Sequence, residues 1–236
     1  MFSENVRDCC LIHIPHSSHE VPSTTGYPVD DDRLFDENAL VCDTWADDIF
    51  NVPGIKRLIC PWSRVFCDVE RLLVGETMEA VGMGFFYTLC DDGTPLREDK
   101  DGAKDIAMAY YHAHHNALEM MIQKTIFNQG HCYIIDAHTF PDVPFQRDTN
   151  KEVPRIDVCL GTTKHNTPDY LLEYFKLCFE SHGLTVAVNN PYSGSIIPLS
   201  LEKHPHLSSI MIEINRKLCV RTMNEVFNEI MEFPGL

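Results

Sequence analysis

Apolar positions along this chain follow two periods. Short continuous apolar runs bounded by proline, glycine or polar residues read as strands buried on both faces. Such runs lie at Cys9–Ile14, ended by Pro15, and at Ile55–Pro61, Arg64–Val69, Cys132–Ala137, Arg155–Gly161, Thr185–Val188 and Ser209–Ile214. Longer segments repeat their apolar residues every three or four positions, which predicts helices over Leu34–Phe50, Ala103–Asn128, Pro168–His182 and Val220–Phe233. Gly130 and Gly183 close two of them, and the acids Asp30-Asp31-Asp32 satisfy the free amides where the first begins. Gly75–Gly102, Phe140–Pro154 and Asn189–Ser200 lack either period and read as loops. Strands alternating with helices at this spacing predict an α/β sheet covered on both faces. With no repeat and no linker, residues 1–236 are expected to form a single domain.

Charge narrows the partners. The formal net charge is −16, which argues against nucleic acid and anionic membranes. It does not exclude a small acidic substrate, because salt screens distant charge over roughly 8 Å and a few arginines in a pocket act locally. No stretch approaches ~18 continuous apolar residues, so no membrane span is expected. Met1–Asn5 shows no basic region followed by an apolar core, so no signal peptide is expected either. The ten cysteines form no C-x-x-C pair, and several sit inside apolar runs. They read as reduced, buried residues of a cytoplasmic protein.

Candidate chemistry gathers at strand ends, where α/β proteins place their sites. His16, His19 and Glu20 follow the first strand. Asp136 and His138 end a later one and, two apart, share a face. Imidazole and carboxylate are the ligands of hydrolytic zinc, and an acid beside a histidine orients a ligand or a base. In Ser209–Ile214, Ile210, Ile212 and Ile214 line one face and Met211 and Glu213 the other. A carboxylate in such a strand needs a partner or works as a general base. Arg64, Asp68 and Arg71 recur through one segment, as either carboxylate clamps or structural ion pairs. His112, His114 and His115 lie on different faces of a helix, so at most two converge. No glycine-rich phosphate loop and no G-x-S-x-G elbow occurs.

The ordered set of these segments resembles the N-formylglutamate amidohydrolase family. The matching pieces are Pro15-His16-Ser17 with Glu20 and Pro22, then Ser63-Arg64, Asp68 and Arg71, then Tyr111-His112 and Asp136-Ala137-His138-Thr139. Arg155-Ile156-Asp157 with Gly161, Asn190 to Gly194, and Ile212 to Arg216 follow in the same order. The chain departs from the family pattern at Glu70, where asparagine is usual, and at Gly194-Ser195, where a glycine pair is usual.

The family looks related to zinc carboxypeptidases and aspartoacylase-type deacylases. The resemblance therefore implies a three-layer sheet of mixed parallel and antiparallel strands with helices on both faces, zinc-carboxypeptidase-like in the phosphorylase/hydrolase-like manner. It implies one zinc ion per chain, held by His16, His138 and either Glu20 or, as the alternative, His19. Glu213 would be the general base and Arg64 an oxyanion stabiliser. Arg71, Arg155, Asn190 and Arg216 would bind substrate, and Asp136, Asp68 and His112 would stand behind the ligands. The implied reaction is hydrolysis of a small acidic N-acyl amino acid such as N-formyl-L-glutamate, a step of histidine degradation. Rival expectations are a deacylase or carboxypeptidase on another N-acyl amino acid or short peptide, and an inactive binding protein of the same fold.

Overall fold

The computed structural model describes residues 6–232. Met1–Asn5, on which the expectation of no signal peptide rests, and Phe233, the expected end of the last helix, lie outside the described residues. The elements in chain order are α1 (Val6–Cys9), β1 (Cys10–Ile14), α2 (Asp31–Val41), α3 (Ala46–Ile49) and β2 (Lys56–Ile59). Then come α4 (Ala103–Gln129), β3 (Cys132–Phe140), β4 (Val158–Gly161), α5 (Asp169–Ser181), β5 (Val186–Val188), β6 (Leu207–Asn215) and α6 (Val220–Glu232). The six strands form one sheet in the order β2-β1-β3-β6-β4-β5. Only the β4–β6 pairing is antiparallel, so the sheet is mixed.

Strand alternation sorts the side chains between two layers. Ile12, Ile14, Ile135, Ala137, Ile210, Ile212 and Ile214 pack with Ala46 and Ile49 of α3, Phe175 and Phe179 of α5, and Phe227 of α6. Each fully buried ring in that layer contributes roughly 1.5–3 kcal/mol. Leu11, Ile134 and Leu207 face the other way, onto Leu118 and Ile122 of α4. The same face carries the buried polar residues His13, Asp136, His138 and Glu213, with Phe140 and Met211 beside them. The larger apolar cluster thus lies on one side of the sheet, and the buried polar cluster shares the other side with a smaller one. Among the described residues, no helix is long and apolar enough to cross a membrane.

Two expectations are corrected. The helix expected over Leu34–Phe50 breaks after Val41 and resumes at Ala46. Trp45 takes a left-handed backbone (φ 67°) in the break, and the Asp43 amide donates to His16 O at 2.9 Å. Arg64–Val69 is a turn, not a strand, because the Phe66 and Cys67 amides donate back to Ser63 O and Asp68 accepts from the Glu70 amide. Gly75–Gly102 is mostly loop, as expected, with a 3-10 turn at Thr77–Val81, and it packs the fully buried Tyr87, Cys90 and Leu96 with Leu34 and Val41 of α2. It also buries Arg97, whose guanidinium lies 4.5 to 5.0 Å from the rings of Tyr27, Phe66 and Phe86 and donates to Phe66 O at 2.7 Å. All ten cysteines are free thiols.

Candidate functional site

The carboxyl ends of β1, β3 and β6 lie side by side, and their loops open into a cleft of about 540 Å³. His16 stands two residues beyond β1, His138 lies near the end of β3, and Glu213 pairs with His138 in register across β6. The break between α2 and α3 brings Asp43 into the same place. His16, Asp43 and His138 are buried, and their ligand atoms all lie within 4.8 Å of one another. The two imidazole centroids are 5.1 Å apart.

Hydrogen bonds behind these three residues decide which atoms face inward. His16 Nε2 is 2.8 Å from Asp68 Oδ1, so it is the protonated nitrogen, and Nδ1 is left buried with no hydrogen-bond partner. His138 Nε2 lies 3.3 Å from Asp136 Oδ1, badly aligned for a hydrogen bond, while its Nδ1 lies 2.9 Å from Asp43 Oδ2. Asp43 Oδ2 is also 3.7 Å from His16 Nδ1. His16 Nδ1, His138 Nδ1 and Asp43 Oδ2 thus face one point, His138 and Asp43 in hydrogen-bond contact and His16 Nδ1 without a partner. Two imidazoles and a carboxylate, with carboxylates behind both imidazoles, suit a divalent metal with an open position.

Electrostatics agree. Burial alone would depress the pKa of His138, but the charge of Asp136 and contacts to Asp136 and Asp43 override it and hold His138 well above its ordinary value. Burial would likewise raise Asp43, yet the two histidines pull it below the ordinary carboxylate range. Asp68 is lowered too, by His16, Arg64 and Arg71 against its burial. The cluster favours positive charge at its centre.

Glu213 behaves in the opposite way. Its Oε2 is buried with no partner, and burial pushes its pKa up to about 8, with His138 opposing. In the unfolded chain this carboxyl loses its proton near its ordinary value of 4.5, while the folded, metal-free chain keeps it to about 8. Between those values the unfolded state binds fewer protons, so rising pH erodes stability. Metal-free Glu213→Gln protein is therefore expected to melt above the wild type by a margin that widens from pH 4.5 to 8. Paired melting curves check this, and a constant margin would contradict it.

The remaining expected site residues separate clearly. Glu20 and His19 are exposed and outside the cluster. The turn after β1 carries residues 19 and 20 out to solvent, and Asp43 is the carboxylate that lies beside His16 and His138. Arg64 lines the cleft, but its guanidinium is taken up by Asp68 (3.0 and 3.2 Å), Asp43 (3.3 Å), Tyr87 OH (3.0 Å) and Val41 O (3.5 Å). That clamps the two acids instead of leaving a donor for an oxyanion. Arg71 lines the cleft, its Nε donates to Met83 O at 3.1 Å, and its terminal nitrogens make no hydrogen bond among the described residues.

Arg155, Asn190 and Arg216 are not on the cleft wall. Arg155 is tied to Asp148 (2.7 Å) and Tyr192 OH (2.8 Å), Asn190 is exposed and bonded to Asn150, and Arg216 donates to Cys42 O at 2.7 Å. His112 points outward from α4, while His114 faces in. Two residues were missed. Asp43 was hidden inside an apolar period read as one helix. His13 reads as one more strand residue, yet its Nδ1 lies 3.0 Å from Asp136 and 3.2 Å from Glu70 and its Nε2 lies 2.8 Å from His114.

Comparison with known proteins bears on this geometry. The sequence model described as N-formylglutamate amidohydrolase matches residues 9–220. The fold is similar to that of the N-formylglutamate amidohydrolase from Ralstonia eutropha JMP134, with a TM-score of 0.82, 20% identity, and 94% of this chain and 91% of that chain covered. It is also similar to the gene product Atu2144 from Agrobacterium tumefaciens, with a TM-score of 0.63, 17% identity, and 100% and 92% covered. No protein of curated function matches this chain by sequence.

Proposed function

The chain belongs to the N-formylglutamate amidohydrolase family, and from that premise we propose that it is a zinc-dependent hydrolase of N-formyl or other N-acyl amino acids, with N-formyl-L-glutamate the first substrate to assay. The observation that carries this reading is the convergence of His16 Nδ1, Asp43 and His138 Nδ1 opposite an unpartnered Glu213. Those three residues would hold the ion, and Asp68 and Asp136 would fix the two imidazoles that face it. Bound there, the ion would supply Lewis-acid polarisation and lower the pKa of the attacking water towards ~7.

The chain's own groups do the rest. Glu213 Oε2, buried and with no hydrogen-bond donor of the chain on it, accepts the proton of the attacking water. The same oxygen then returns that proton to the leaving amine nitrogen, so the base becomes the acid. A positive ion beside it lowers its pKa from the metal-free value, which favours the deprotonated form at neutral pH. Arg71 holds a substrate carboxylate with its free terminal nitrogens. Arg64 keeps Asp43 and Asp68 in place and remains buried throughout.

Chelation followed by metal return tests the reading. Dialysis against a strong chelator is expected to abolish hydrolysis of N-formyl amino acids, and one equivalent of zinc per chain to restore it. Full activity in the metal-free protein would remove the proposal.

A further inference from the structure

A second group of metal-ligating side chains lies behind the first. His13 on β1, Asp136 on β3 and Glu70 in the turns after β2 each offer one ligand atom, and these atoms all lie within 4.8 Å of one another. Strand register sets His13 directly opposite Asp136, so both point to the same face of the sheet. Their side chains are fully buried, while Glu70 keeps 13% of its side chain exposed where it lines the cleft. Neither His13 nor Glu70 takes part in the hydrolysis.

The polar atoms of this group are not satisfied by one another. His13 Nδ1 lies 3.0 Å from Asp136 Oδ1 and 3.2 Å from Glu70 Oε1. One N–H serves one of these oxygens well, and Glu70 Oε1 is left buried with no hydrogen-bond partner. Among the described residues, neither acid forms an ion pair with a lysine or arginine. Two such carboxylates call for positive charge between them. Burial would lower the pKa of His13, but contacts to Asp136 and Glu70 override it and hold it up to about 9. A proton on His13 answers one acid, whereas a cation among the three side chains answers both. On the far side of the ring, His13 Nε2 lies 2.8 Å from His114 Nε2. Burial lowers the pKa of His114, so that ring stays neutral and can accept the Nε2 proton of His13. This leaves the Nδ1 lone pair for a metal, in the way a buried acceptor orients a ligating imidazole.

We propose that His13 Nδ1, Glu70 Oε1 and Asp136 Oδ1 form a second divalent-cation site, reached through the cleft at Glu70 and weaker than the site at His16, Asp43 and His138. Two carboxylates and one imidazole make an oxygen-rich donor set, which suits manganese(II). The site is the weaker one because it has one imidazole where the first has two. Its Asp136 Oδ1 also faces His138 Nε2 at 3.3 Å and is divided between the two tasks. A single equivalent of zinc therefore fills the first site and leaves the second for another ion.

The test adds manganese(II) to protein loaded with one equivalent of zinc and follows the bound ion by electron paramagnetic resonance. One manganese per chain is expected to bind with the zinc retained. Pulsed spectra are expected to show coupling to one imidazole, where the first site would show two. Glu70→Gln keeps the size of the side chain and removes its charge. It is expected to weaken manganese binding by at least about tenfold, the cost of losing even an outer partner of a metal, with zinc content unchanged. The inference is overturned if no manganese binds, if manganese displaces zinc, if no imidazole or two imidazoles couple to it, or if Glu70→Gln binds it as tightly as the wild type. The readout is binding, so protein that takes manganese in this way but hydrolyses no N-acyl amino acid would sink the hydrolase reading alone.

Discussion

Asp43→Asn protein is expected to lose its metal and, with it, activity by a factor of at least about a thousand, or roughly 4 kcal/mol of transition-state stabilisation. The substitution keeps the size of the side chain but removes the negative charge on which His16 and His138 converge. A neutral amide cannot balance a dication, so zinc measured after gel filtration should fall from one per chain towards none. Glu20→Gln should keep both zinc and turnover, because Glu20 is exposed and apart from the cluster. Asp43 also accepts from Arg64 and the Thr139 amide, so melting curves should accompany the assay to separate lost metal from lost fold. Zinc retained in Asp43→Asn but lost in Glu20→Gln would reverse the assignment.

Glu213→Gln is expected to separate binding from chemistry. Glu213 stands across the strand pair from His138 and is no member of the ligand group, so zinc content should stay at one per chain. Glutamine occupies nearly the same volume but cannot take a proton from water. General-base removal of this kind costs about a hundredfold to ten-thousandfold, which is ~3–5 kcal/mol of barrier. The loss should fall on kcat with KM little changed, since the proposed substrate contacts are to Arg71 and the cleft wall rather than to Glu213. Lost zinc would instead make Glu213 a ligand, and full turnover would remove it from the mechanism.

Much of the sheet was legible in the sequence, for a physical reason. β1, β3 and β6 are buried on both faces, and continuous apolar runs broken by few polar residues are the mark of such strands. The polar exceptions in those runs, Asp136, His138 and Glu213, were visible because each had to be accounted for inside a core. Their separation from Ile210, Ile212 and Ile214 followed from strand alternation alone.

Other parts were not legible, because they depend on contacts between distant segments. Asp43 sits in a run whose apolar period continues across the break from α2 to α3, and only the His16 carbonyl and the left-handed Trp45 show that the chain turns there. The Arg64–Val69 segment has the composition of a strand, but Asp68 and Ser63 bond their own neighbouring amides and hold it as a turn. Arg155 and Arg216 carry the right chemistry for a substrate carboxylate. Arg155 is engaged by Asp148 and Tyr192, whereas Arg216 reaches the Cys42 carbonyl with one nitrogen and keeps Nε and Nη2 buried without a partner.

The central claim is that one divalent ion belongs between His16, Asp43 and His138. Anomalous diffraction at the zinc absorption edge, from crystals grown with one equivalent of zinc, tests it most directly. The account predicts a single strong peak about 2.0–2.2 Å from His16 Nδ1, His138 Nδ1 and an Asp43 oxygen. A peak among His13, Glu70 and Asp136 instead, or none near either group in protein that is still active, would contradict it.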